Sequence, residues 1–222
     1  MGTKHVLLVE GHDDQYVIRE LLKKSHIKCV IPERRNNHDP DSEEAIHLRQ
    51  KDGFEHLRKR LPADLFESEL ERLGIVVDAD IDVAARWQSL RHILQQEGSQ
   101  DVPPHPDPAG TVCTIERPDR TVTVGVWLMP DNSLPGMLED FMAFLIPDGD
   151  TLLAHVDTCF EQIPTGTLSP RYNYNKGRIH AWLALQEEPG KPLGQAITAH
   201  YLDAKKPYAQ NFVAWIRRLY KV

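Results

Sequence analysis

Four carboxylates carry the chemistry this sequence suggests. Asp78, Asp80 and Asp82 end the stretch Gly74-Ile75-Val76-Val77-Asp78-Ala79-Asp80-Ile81-Asp82, and Glu10 ends His5-Val6-Leu7-Leu8-Val9-Glu10. Each apolar run is short and rich in branched residues, as expected of a strand buried on both faces of a parallel sheet. Strand side chains alternate, so the three aspartates share one side if the strand runs that far. Clustered like charges disfavour ionisation unless a cation or strong donors sit among them. Hard divalent cations prefer carboxylate oxygens, which points to Mg²⁺, with Mn²⁺ as a substitute. In open α/β sheets the carboxyl ends of the strands are also where ligands bind. The same aspartates serve as turn formers and helix N-caps, and Asp80 or Asp82 would cap a following helix.

The elements that must position these groups follow in order. After the first strand, Gly11 permits a tight turn, and Asp13 or Asp14 can cap a helix bearing Val17, Ile18, Leu21 and Leu22. Cys29-Val30-Ile31 suggests a short second strand, and the polar stretch 32–50 a solvated loop. A helical stretch is expected from about Gly53 to Leu73, with Pro62 restarting it at a first turn. The acidic strand leads into a helix with Ala84, Ala85, Leu90, Ile93 and Leu94. Four prolines between Gly98 and Gly110 predict a loop. Thr111–Ile115 and Thr121–Leu128 read as strands joined at Pro118-Asp119, and Pro135–Leu145 as a helix. Glu139 and Asp140 fall in its first turns, where the helix dipole favours negative charge. From Thr151 onward the pattern is helical, and a last helix with Phe212, Val213, Trp215, Ile216 and Leu219 should cover the sheet. The domain expectation is an α/β unit over 1–148 and a helical C-terminal extension over 149–222, packed on the same domain.

Composition narrows the classes. The 222 residues can bury a full core. No apolar run approaches a membrane span, and no signal peptide is read at the N-terminus. Three widely spaced cysteines give neither a disulfide framework nor a Cys-x-x-Cys zinc site, and fit a reducing cytoplasm. The formal net charge of −7 does not advertise a nucleic-acid partner, although the acidic site contributes part of it. One stretch, Arg171-Tyr172-Asn173-Tyr174-Asn175-Lys176-Gly177-Arg178, is locally basic with interleaved aromatics. There Lys176 and Arg178 are candidates for substrate phosphate, or belong to a solvated loop. His12 beside Gly11 is a candidate proton carrier, or simply a turn residue.

Leu8-Val9-Glu10-Gly11-His12-Asp13-Asp14 followed by Val77-Asp78-Ala79-Asp80 resembles the Toprim signature, a Glu-Gly turn after the first strand and Asp-x-Asp after a later one. Toprim modules occur in DnaG-type primases, topoisomerases, RecR and OLD-family nucleases. Gly125–Asn132, Gly136–Asp140, His180–Ala184, Pro192–Gly194 and Phe212–Trp215 further resemble a standalone, uncharacterised Toprim-like family. The resemblance implies a Rossmann-like, mostly parallel central sheet flanked by helices. It implies Asp78 and Asp80 as Mg²⁺ ligands and Glu10 as ligand or general acid/base. Glu139 resembles the additional acidic residue that OLD-type nucleases use for a second metal, and Asp82 is a further candidate ligand. No tyrosine is marked as a topoisomerase nucleophile, and the phosphate-binding loop of the OLD ATPase module is missing.

The leading expectation is a Mg²⁺-dependent phosphodiester-processing enzyme, a nuclease acting on DNA or RNA. A Toprim-like module that binds metal or nucleic-acid ends without cleaving, as part of a complex, stands beside it. An Asp-x-Asp phosphatase, with Asp78 attacking phosphorus, is the third reading; it leaves Glu10 unexplained.

Overall fold

The computed structural model describes residues 3–32 and 44–222. In chain order the elements are β1 (His5–Val9), α1 (His12–Lys24), β2 (Cys29–Val30), β3 (Ile46–Gln50), α2 (Phe54–Leu65), β4 (Arg72–Asp78), α3 (Val83–Gln96), β5 (Thr111–Glu116), β6 (Thr121–Met129), α4 (Leu138–Phe144), α5 (Thr151–Glu161), α6 (Tyr174–Ala184), α7 (Leu193–Thr198) and α8 (Pro207–Tyr220). Six strands form one sheet in the order β2-β3-β1-β4-β6-β5. All neighbours are parallel except β5, which runs antiparallel to β6 at the edge.

From β1 the chain first winds to one side, through α1 to β2 and β3, then crosses back through α2 to β4 on the other. Parallel crossovers are right-handed, so this reversal sends α1 and α2 to opposite faces. The two cores reflect it. Leu7, Val9, Val76, Trp127 and Met129 pack under α1, α4, α6, α7 and α8. On the other face Val6, Leu8, Ile75, Val77 and Leu128 pack under α2 and α3. Alternate residues of one strand therefore feed opposite cores, which is why β1 and β4 read as unbroken apolar runs.

Helix α8 lies against the sheet at a paired gap. Gly74 of β4 is in register with Gly125 of β6. A Cβ at Gly74 would meet Leu7 Cδ1 at 2.4 Å, and one at Gly125 would meet Leu219 Cδ2 at 2.5 Å. Into that gap Tyr220 brings its hydroxyl, which accepts from Gly74 N at 3.0 Å and donates to Val6 O at 2.6 Å. Both partners and the tyrosine are buried. Tyr220→Phe leaves an amide and a carbonyl unsatisfied, so urea denaturation should show a loss of about 1–3 kcal/mol.

Several sequence expectations need correction. Of the predicted loop at 32–50, residues 33–43 lie outside the described residues, and Ile46–Gln50 is strand β3. Its Ile46 and Leu48 point inward while His47 and Arg49 do not, and the charged outer face disguised a short edge-side strand. Pro62 does not begin a helix; it lies within α2, which ends three residues later at Leu65. Strand β4 begins at Arg72, inside the stretch expected to be helical. Helix α4 starts at Leu138 rather than Pro135, because Gly136 is held in an extended bridge with Asp80. The helical reading from Thr151 matches α5–α8. No helix among the described residues is long and apolar enough to cross a membrane.

Candidate functional site

The reversal of winding places β1 and β4 side by side, with Val9 in register with Val76. The crevice beyond their carboxyl ends is the topological switch point, where open α/β sheets bind ligands. Glu10 follows β1 and Asp78 ends β4 at that place. Glu10 Oε1 accepts from Asp78 N at 2.9 Å, which joins the two strand ends directly. Burial lifts the Glu10 pKa above the usual carboxylate value, while that N–H and the Arg86 guanidinium work to lower it.

Asp78 is the focus of the cluster. Its Oδ1 accepts from Leu138 N, the first free amide of α4, at 3.0 Å. Burial first, then the neighbouring carboxylates of Asp14, Glu10, Glu139 and Asp80, push its pKa up to about 9. Asp14 belongs to the same group. Its Oδ2 accepts from Gly11 N at 3.1 Å, closing the first turn of α1, while its Oδ1 is buried with no hydrogen-bond partner. Burial and the charge of Glu10 push Asp14 up to about 7. Glu139, in the first turn of α4 and only 5% exposed, reaches the same place. Lys176 of α6 supplies the counter-charge, its Nζ 3.2 Å from Glu139 Oε1. Partial burial works to lower the Lys176 pKa, but Glu139 outweighs it and the value is raised. Gly11, Asp13, Asp14, Asp78, Glu139 and Lys176 line a pocket of about 240 Å³.

The other sequence candidates are placed differently. Asp80 adopts a left-handed φ of 53°, and its carboxylate pairs with Arg86 of α3. Its backbone exchanges two hydrogen bonds with Gly136, at 2.8 and 2.7 Å, which ties the loop after β4 to the loop after β6. Asp80 is therefore near Asp78 but engaged outside the pocket. Asp82 is the N-cap of α3 and accepts from Ala85 N at 2.9 Å, so its carboxylate serves the helix. Arg178 forms a fork with Asp157 at 2.5 and 2.7 Å and is occupied there. His12 lines the pocket rim and stacks on Tyr16 with ring centroids 4.5 Å apart.

Two members were missed in the sequence. The sequence offers Asp13 or Asp14 as the N-cap of α1, yet Gly11 holds that position and Asp14 lies at the third helical residue. Its spacing from Gly11 was the available signal, because an acidic residue there can reach back to the cap amide. Arg86 carried no signal at all. It stacks on Phe54 at 3.7 Å, pairs with Asp80, and stands 4.0 Å from Glu10 Oε1, joining α2, α3 and both strand ends.

The pocket's carboxylates offer oxygen donors, which suits Mg²⁺ or Mn²⁺ in kind, and His12 adds a nitrogen at the rim. The unpartnered Asp14 oxygen and the raised Asp78 both mark negative charge not yet compensated by protein groups. Among the described residues, however, no three His, Cys, Asp or Glu side chains converge closely enough to cage an ion. An ion there would be held by fewer than three side chains, drawn from Asp78, Asp14 and Glu139, with water or substrate oxygens filling the shell.

A family model described as a protein of unknown function (DUF3226) matches residues 4–221. The chain belongs to the DUF3226 family. The match spans both cores and every element of the site, so the fold and the carboxylate pocket fall within the segment that defines DUF3226. No curated protein and no solved structure shows significant similarity to the chain.

Proposed function

We propose that the chain is a Toprim-like, Mg²⁺-dependent phosphodiester-processing enzyme, a nuclease acting on DNA or RNA. The observation that carries this reading is the uncompensated carboxylate group at the switch point. Glu10 and Asp78 are linked across adjacent strand ends, with Asp14 and Glu139 beside them and one lysine facing them. The Glu-Gly turn after β1 beside the Asp-x-Asp turn after β4 supports the Toprim reading of the fold.

In this reading Asp78, with Asp14 or Glu139, would hold the cation, and Glu10 stands at the margin. When bound, Mg²⁺ would activate a water and neutralise charge developing on the phosphodiester. The chain's own groups do the rest. Glu10, its pKa raised by burial, is the general base of this reading. Lys176 exchanges Glu139 for a substrate phosphate oxygen and orients it. Arg86 fixes Glu10 and Asp80 from outside the pocket, keeping both strand ends in place.

A second reading has its own support. Arg86 and Lys176 already neutralise part of the cluster, and no three-residue cage is formed among the described residues. That arrangement suits a module that binds metal or nucleic-acid ends without cleaving them. The phosphatase reading is weaker, since Asp80, its acid/base, is committed to Arg86.

Thermal melts with and without Mg²⁺ and Mn²⁺, followed by cleavage assays on single- and double-stranded DNA and RNA, test the proposal. Metal at a hundred times its Kd stabilises the native state by about 2.7 kcal/mol, or roughly 5–10 °C for a chain of this size. A shift with metal-dependent cleavage supports the enzyme; a shift without cleavage supports the module. No shift and no cleavage removes both.

A further inference from the structure

Next to the acidic pocket, on the far side of Met137, lies a wider cleft of about 800 Å³. Its walls are the β4–α3 turn carrying Asp80 and Ile81, the extended segment at Gly136, and the start of α6 with Tyr172 and Tyr174. Met137 lines both cavities, so the two are adjacent.

Ile81 is 95% exposed, the most exposed large apolar side chain among the described residues. It is nonetheless held by a fixed turn. Asp80 bridges to Gly136 through two backbone hydrogen bonds and pairs with Arg86, and Asp82 caps α3. Displayed on this braced turn, the isoleucine presents its side chain to whatever enters the cleft. Across the cleft, Phe160 supports both tyrosines. Its ring is edge-on to Tyr174 at 5.2 Å and tilted to Tyr172 at 6.3 Å. The Tyr172 hydroxyl fills the space where Gly177 lacks a side chain; a Cβ there would lie 1.6 Å from it. The tyrosine rings are therefore seated rather than loose, and each keeps more than a third of its surface exposed. The cleft's charged groups are Asp80, paired with Arg86, and Asp140, which accepts from Met137 N and Asn175 Nδ2. Lys176, which follows Asn175 of the cleft wall, lines the acidic pocket next to it, and Arg178 acts on Asp140 from the α6 side.

We infer that this cleft is a slot for an unstacked base of a single-stranded nucleic acid, with the base between Ile81 and the Tyr172/Tyr174 pair and its phosphate directed to Lys176. The inference rests on the nucleic-acid reading above and names its substrate class. Aromatic faces accept any base, and apolar side chains act as wedges between bases. The apolar and aromatic walls suit a base, and Lys176 in the neighbouring pocket is the group placed for its phosphate.

Fluorescence anisotropy tests the slot on the full chain. The probes are a labelled single-stranded 12-mer, the same strand carrying abasic sites, and a blunt duplex, all in Ca²⁺ to separate binding from cleavage. The single strand should bind about tenfold or more tightly than the abasic strand and the duplex. Tyr172→Ala/Tyr174→Ala and Ile81→Ser should each bring its affinity towards the abasic value. Tyr172→Phe/Tyr174→Phe should retain it. An abasic strand bound as tightly as the intact one, or an unchanged affinity in the double alanine variant, overturns the slot. Cleavage in Mn²⁺ is scored separately. Cleavage that ignores the tyrosines removes the slot and leaves the nuclease. Tyrosine-dependent binding without cleavage leaves the slot and removes the nuclease.

Discussion

Asp78→Asn should reduce any Mg²⁺- or Mn²⁺-dependent cleavage about a thousandfold or more, since several kcal/mol of transition-state stabilisation depend on the bound cation. The same variant should raise the metal-free stability. An unfolded aspartate titrates near the ordinary value, whereas folded Asp78 holds its proton up to about 9 and Asp14 up to about 7. Between those limits the native state binds more protons than the unfolded one, so stability falls as pH rises from about 4 towards 9. Metal-free melts of the wild type should therefore drop by several degrees between pH 5 and pH 8. Asp78→Asn removes the largest contributor and should flatten that slope, and saturating Mg²⁺ should flatten it in the wild type. A variant that melts like the wild type at every pH, with and without metal, would contradict the charge balance described for the pocket.

Trp215→Ala is expected to have the largest effect on stability alone. The indole is fully buried, its Nε1 donates to Thr111 O at 3.2 Å, and its ring contacts Trp127 and Phe212 at 5.6 Å. It also closes over Gly110, where a Cβ would lie 2.3 Å from the indole. Truncation leaves a cavity between α8 and the sheet and a loss of about 3–5 kcal/mol, a large part of a typical domain's 5–15 kcal/mol. Guanidinium denaturation measures it. Trp215→Phe, which refills most of the volume, should cost clearly less.

Much of this arrangement was readable from the chain because burial on both faces writes an unmistakable pattern. β1 and the apolar half of β4 are continuous branched runs, and their acidic ends could be located before any coordinates. α8 was legible for the same reason, its aromatic stripe having nowhere to go but onto a sheet. β3 was not, because a five-residue strand with His47 and Arg49 on one face resembles a polar loop. α2 misled because Pro62 near a helix end removes one hydrogen bond without stopping the last turn. Within the site, Glu10, Asp78 and Glu139 come together as their positions after β1, after β4 and at the start of α4 suggested. Asp80 stays within electrostatic reach of Asp78 with its carboxylate paired to Arg86, and Asp82 caps α3. Strand alternation stops at Asp78, and the left-handed turn at Asp80 sends the next carboxylates to Arg86 and to the α3 cap. Asp14 and Arg86 entered through tertiary contacts that local spacing only hints at.

The Tyr220 hydroxyl joins Val6 to a residue 214 positions later. Its consequence is kinetic. The sheet face at Gly74 and Gly125 can be closed only by the last helix, so one side of the central strands stays open until nearly the whole chain has been brought together. Loop closure of that span yields its contact only at the end, and folds dominated by such distant pairings assemble slowly. The carboxylates at the strand ends thus sit on a sheet whose face is completed only by an element far away in the chain.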